Sequence, residues 1–187
     1  MRRLVDFIRR LLGLGQAAAP EAPPAAARLH VPRSLLRQLR EMTQPNERRP
    51  EPLALLRARY ASEEARNVVV GIGAIPFPDS AYVEGPAGAN FDTDWLVRIA
   101  NREIAVNVGL LLVHSHGGRG VPRFSGIDGR TNTHVMAPLA IGVDVAPYGA
   151  LVLSDTHATA VVTVTNSLAV AEVIAVPDRL GAFEASA

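Results

Sequence analysis

The stretch VGLLLVHSHGGRGVPRFSGID, residues 108–128, decides how the rest of the chain is read. Residues 108–113 are wholly apolar, which predicts a buried strand. The run stops at His114, where a polar, glycine-rich segment begins. Side chains alternate along an extended chain, so His114 and His116 project to one side and both imidazoles can reach a single ion. Three glycines and a proline between His116 and Ser125 let the backbone turn back and bring Asp128 toward the pair. Two imidazole nitrogens and one carboxylate oxygen suit zinc and leave a fourth position for water, as in a catalytic rather than a closed structural site. A plainer account is also open. A His-x-His pair at a strand end needs no metal, and Ser125 with Asp128 three residues later reads as the start of a helix over 126–136, with Ser125 at the N-cap. The two accounts are compatible, because such a cap would hold Asp128 in place and leave the Ser125 hydroxyl able to donate to an oxyanion.

Outward from this segment, the pattern predicts a short strand at 29–31, then a helix from Pro32 through SLLRQLREM with Leu35, Leu36 and Leu39 on one face. Strands are expected at 53–60 and 67–75, the second carrying the apolar run VVVGIGAI. Its Gly71-Ile-Gly73 lacks a third glycine and opens no helix, which excludes a dinucleotide fingerprint. Residues 76–91 have the proline and glycine density of a binding loop. Asp92 is placed to cap a helix reaching about Val106. Beyond the predicted helix at 126–136, β-rich stretches occupy 139–145, 148–154, 157–165 and 171–176. Helices inserted among strands that can pair as hairpins point to an α+β sandwich around a mostly central sheet rather than a doubly wound fold.

Upstream, MRRLVDFIRRLLGLG reads as a basic amphipathic helix over residues 1–15, followed by an Ala/Pro-rich linker at 16–27 and a main domain from 28 to 187. The helix either docks on a partner or packs on its own domain. Charged residues interrupt it, so it neither spans a bilayer nor resembles a secretory signal, and a membrane is an unlikely partner. The whole chain has 19 basic and 18 acidic residues, a balance that gives no reason to expect nucleic-acid binding. Cysteine is absent, which excludes thiol chemistry and Cys-ligated metal and fits a reducing, cytoplasmic setting.

His114, His116, Ser125 and Asp128 together resemble the signature of the JAB/MPN (JAMM) zinc metalloproteases: an upstream Glu, then H-x-H, a loop, and S-x-x-D. The resemblance implies zinc (Zn2+) held by His114, His116 and Asp128, with Ser125 assisting the tetrahedral intermediate. It implies a cytidine-deaminase-like α+β fold, a central mixed β-sheet flanked by helices. The family's catalytic Glu stands in a context like E-x-x-x-L-L, which Glu51-Pro-Leu-Ala-Leu-Leu matches; the role carried over is proton transfer between the attacking water and the leaving amine. Glu47 is the competitor, and the plain alternative for Glu51 is a carboxylate closing a polar turn. Glu63, Glu64, Glu84 and Glu103 are read as solvated, as are Arg119 and Arg123; His134 is read as a helix cap, and His30 and His157 as lacking metal-ligand spacing. Gly117 stands where better-known members carry Pro, and the loop to Ser125 is one residue longer than usual, both of which point to the bacterial branch.

That branch is similar to peptidases and isopeptidases that process or deconjugate a ubiquitin-like protein at its C-terminal tail, encoded beside E1-like and E2-like enzymes in antiphage operons. An exposed strand edge beside the zinc, walled by the 76–91 loop, is the expected seat for such a tail. The alternatives are trimming of a sulfur-carrier protein and a metal-free MPN-type scaffold.

Overall fold

The apolar run at 108–113 does become a strand, and it extends through both His114 and Ser115. In the computed structural model, residues 27–46, 51–83, 91–125, 145–164 and 167–178 are described. The first is strand β1 (Ala27–Pro32), followed by helix α1 (Arg33–Met42), β2 (Ala54–Tyr60) and β3 (Val68–Pro76). A single 3-10 turn at Asp79–Ala81 precedes α2 (Thr93–Ile104), which leads into β4 (Gly109–Ser115), β5 (Gly149–Leu153), β6 (Ala158–Val164) and β7 (Ser167–Val176). The predicted terminal helix, the helix at 126–136, Glu47, Glu84, Asp128 and His134 lie outside the described residues, as do the predicted linker except Ala27, which opens β1, and the predicted strand at 139–145 except Val145.

The expectation of a central sheet flanked by helices is corrected. The seven described strands close into a barrel in the order β1-β3-β2-β4-β5-β6-β7, with two helices among the described residues. Closure depends on β1, which pairs in parallel with β3 on one side and with β7 on the other. Six residues of β1 are in register with β7, from Ala27 opposite Ala171 to Pro32 opposite Val176. β1 pairs with β3 only from Arg28 opposite Val68 to His30 opposite Val70, so among the described residues Gly71–Pro76 of β3 has a strand partner on the β2 side alone.

Strand alternation divides the apolar residues between two cores. Leu111 and Val113 of β4 point inward with Ala54 and Leu56 of β2, Leu151 and Leu153 of β5, and Leu35, Leu36 and Leu39 of α1. Leu110 and Leu112 point outward, where Leu96 and Ala100 of α2, Phe77, Ala81 and Tyr148 cover them. Phe77, Phe91 and Trp95 make the aromatic lid of this outer core, with ring centroids 4.6 and 5.4 Å from Phe77.

The helices are held at both ends by chemistry local patterns only half disclose. Asp92 accepts from the Asp94 amide at 2.9 Å, the N-cap expected for α2. Asn107 takes a left-handed conformation (φ 57°) beyond its other end, so that Val108 N–H reaches back to Glu103 C=O and the chain turns straight into β4. Pro32 offers α1 no capping side chain, and Asp178, arriving from beyond β7, accepts from Ser34 N–H at 2.9 Å instead. That hydrogen bond holds the Asp178 carboxyl below its ordinary range. Glu103 is not solvated as expected: it is buried in α2 and pairs with Arg57 Nε of β2 at 2.8 Å, with Arg102 on its other oxygen. A buried carboxylate needs such partners to remain charged. No helix among the described residues is long and apolar enough to cross a membrane.

Tyr148 makes a specific stability prediction. It is 1% exposed, and its hydroxyl has no hydrogen-bond partner among the described residues. Burial, with a smaller contribution from Tyr60, pushes its phenol well above the ordinary range. A buried unsatisfied hydroxyl costs about 1–3 kcal/mol, so Tyr148→Phe should raise stability at neutral pH by about 1 kcal/mol. The unfolded phenol releases its proton near pH 10 while the folded one retains it. Above about pH 10 the wild type should therefore lose about 1.4 kcal/mol per pH unit from this group, a slope absent from the variant. Urea unfolding of both proteins between pH 7 and 11 measures it, and equal stability throughout would contradict the assignment.

Candidate functional site

The barrel end that receives the carboxyl ends of β4 and β5 carries His114 and His116. His114 lies in the last turn of the pleat of β4, opposite Val152 of β5, and is 7% exposed. His116, just past the strand, is exposed, and its N–H bonds Leu153 C=O at 3.0 Å, which keeps the extended geometry going one residue beyond β4. The two rings consequently fall on one side, as the alternation rule requires. Their Nε2 atoms are 3.1 Å apart, with ring centroids at 4.9 Å. Ser115 points the other way: its hydroxyl donates to Leu153 C=O and accepts from Gly117 N–H.

The donor set can be tested against zinc. Two nitrogens each about 2.0–2.1 Å from a tetrahedral ion stand about 3.3 Å apart, close to the separation of the two Nε2 atoms. The same distance suits an Nε2–H···Nε2 hydrogen bond between neutral rings, so the pair is geometrically ready for a shared ion and stable without one. Two ligands are not a complete site. Among the described residues no group of three His, Asp or Glu side chains is positioned to hold a metal, and Asp128, the expected third ligand, lies outside them.

Glu51 is exposed and precedes β2 by three residues. In the antiparallel ladder Ala54 lies opposite Val113. The ladder with β4 ends at that pair, three residues short of Glu51, which lies at a bend. Leu53 is anchored by Tyr82, whose hydroxyl accepts from Leu53 N–H at 2.7 Å, and by Phe77 N–H to Leu53 C=O. The described part of the 76–91 loop is thus seated directly on the segment that carries Glu51. Ser125 is exposed at the end of its described segment.

Gly117 and Gly118 explain one departure from the metalloprotease signature. Their φ angles are 66° and 74°, a left-handed pair that turns the chain away from the barrel immediately after His116. Proline is locked near −65° and cannot take this path, so glycine rather than proline follows the second histidine here.

What the sequence missed is how the following loop is held. The turn between β5 and β6 sends Asp155 N–H to Gly118 C=O, and the hydroxyls of Thr156, Ser154 and Thr159 to the carbonyls of Arg119, Gly120 and Pro122. Arg40 Nε of α1 bonds Ser154 C=O at 3.0 Å from behind. The hydroxyls in SDTHAT, residues 154–159, signal a turn, but nothing in that pattern names a loop more than thirty residues away as its partner. His157 is exposed with Nδ1 on Thr156 Oγ1, and Arg119 and Arg123 are exposed.

The sequence matches no known protein-family model and no curated protein. The resemblance to the JAMM signature therefore rests on the motif residues themselves.

Proposed function

We propose that His114 and His116 are the described part of a zinc site, and that the protein is a zinc-dependent peptidase or isopeptidase acting at the C-terminal tail of a ubiquitin-like protein. The observation that carries the reading is the convergence of the two Nε2 atoms to 3.1 Å at the end of a buried strand. Both histidines would bind through Nε2, with Asp128 completing the set according to the motif. Bound there, zinc would supply a Lewis acid for the scissile carbonyl and lower the pKa of a water. Glu51, three residues before the strand whose Ala54 lies opposite Val113, is the group that the motif assigns to accept a proton from the attacking water and return it to the leaving amine. The Ser125 hydroxyl would donate to the oxyanion as the carbonyl carbon becomes tetrahedral. The substrate class, an E1-like or E2-like partner, an antiphage operon and a cytoplasmic setting come from the signature alone.

The test pairs elemental analysis of zinc with cleavage of a ubiquitin-like protein, encoded beside this one, fused at its C-terminus to a reporter. Wild type should hold about one zinc and cleave, whereas Glu51→Gln should hold the same zinc and lose about 10²–10⁴-fold in rate, the usual worth of a general base. Zinc without cleavage of this or a sulfur-carrier fusion would sink the substrate assignment. Protein purified without chelators and found free of zinc would sink the metal site and favour a scaffold.

A further inference from the structure

We propose that residues 1–15 dock as an amphipathic helix on the outer sheet face of their own barrel, across β7, β1 and β3; the inference does not depend on the zinc reading. Alternation fixes which side chains this face presents. Leu29 and Val31 of β1 and Ala171 and Val173 of β7 pack in the inner core, so Arg28, His30, Val170, Glu172 and Ile174 point outward. Ile174, His30 and Val70 stand abreast on β7, β1 and β3, and Val161 of β6 lies opposite Val170. The outer core beneath α2 rests on β2 and β4, through Leu55, Leu110 and Leu112, and leaves Val170 72% exposed.

The occupant is argued from where the described chain begins and how much chain precedes it. Residues 1–26 lie outside the described residues, and Ala27 enters β1, the middle strand of this face, opposite Ala171. In the preceding sequence Leu4, Phe7, Ile8, Leu11 and Leu12 recur at helical spacing, and a helix over 1–15 would be about 22 Å long and about 10–12 Å across. The face runs about 20 Å from Val170 to Val176 and is about 14 Å wide from β6 to β3. Residues 16–26, almost all alanine and proline, reach about 34 Å when extended, enough to turn such a helix back over the strands. Arg28 and Glu172 stand opposite each other and balance in charge, so apolar burial rather than ion pairing drives the contact. A second copy suits the face less well, because its footprint of roughly 280 Å² is far below the ~800 Å² that each partner buries in a standard interface. A tethered segment needs no such area, since its linker holds it at high effective concentration.

The chain has no cysteine, so a single introduced thiol is read without background. Val170→Cys is prepared in the full chain, alone and combined with Phe7→Asp and Leu11→Asp, which put charge on the apolar side of the helix. Val121→Cys, at a position 64% exposed on the loop after His116, is the control in both backgrounds, and melting curves show that each protein is folded. Modification by a maleimide is followed by mass spectrometry over a wide range of protein concentration. Docking should make the Val170→Cys thiol react about 10-fold or more slowly than in the Phe7→Asp/Leu11→Asp background, at every concentration, while Val121→Cys reacts alike in both. Equal rates for Val170→Cys in the two backgrounds would overturn the proposal; if the unsubstituted chain also binds vesicles containing phosphatidylserine, the helix belongs to a membrane surface instead. Protection that appears only as concentration rises would place the helix on a second copy and overturn the proposal as well. If Val170→Cys fails to fold, Val161→Cys on the neighbouring strand takes its place with the same expectations.

Discussion

Replacing His114 with alanine is expected to empty the protein of zinc and to reduce cleavage of a modifier fusion by at least about 10³-fold, since metal and nucleophile are lost together. The effect should exceed that of Glu51→Gln, which removes proton transfer alone. His114 is the stronger of the two histidine tests because it lies within β4, paired with Val152 of β5, whereas His116 lies past the strand end. Because the substitution removes a buried ring, the variant is shown to be folded by its melting curve before zinc is measured. His157→Ala is the matched control: that ring is exposed and bonded to Thr156, so zinc content and cleavage should not change. Added zinc gives a second readout. An ion that binds only the folded state at a thousand times its Kd stabilises it by about 4 kcal/mol, and that increment should appear in thermal unfolding of wild type and vanish in His114→Ala. Equal zinc content in the two proteins would remove His114 from the site.

Gly149→Ala should be among the most damaging single substitutions for the fold. Gly149 lies in β5 between Leu111 of β4 and Val162 of β6, and a Cβ built there collides with the backbone oxygen of Val161. No side-chain rotation relieves a clash with backbone, so the two strands must separate where the barrel needs them paired. A loss above about 4 kcal/mol is expected, a large part of the 5–15 kcal/mol that holds a typical domain together. Gly120→Ala supplies the contrast, since a Cβ there meets nothing within 4 Å. It should change stability by less than about 0.5 kcal/mol. Urea unfolding followed by circular dichroism compares them, and a Gly149→Ala protein as stable as Gly120→Ala would mean that the barrel is not closed at this seam.

Local signals in the chain were informative wherever a single element decided the outcome. The Leu35, Leu36 and Leu39 stripe located α1, Asp92 located the start of α2, and the apolar run at 108–113 located β4. Alternation alone put both imidazoles on one side, which the 3.1 Å separation bears out. Signals failed where an outcome depended on a partner remote in sequence. Glu103 looks like any polar position of an exposed helix until Arg57 is placed across from it. Asp178 looks like a tail residue until Ser34 N–H points at it.

The sequence by itself determined the kinds of elements and the chemistry available at the end of β4, because helix and strand periods and side-chain alternation act over a few residues. Only the tertiary structure decided that β7 returns to β1 and closes the sheet, and that two hydroxyls of the β5–β6 turn and one of β6 hold the loop beyond His116. The reason is physical. An apolar strand states which faces it must bury but not which strand will satisfy its amides and carbonyls, and β1 met that need twice, in parallel, at distances along the chain that no local pattern encodes.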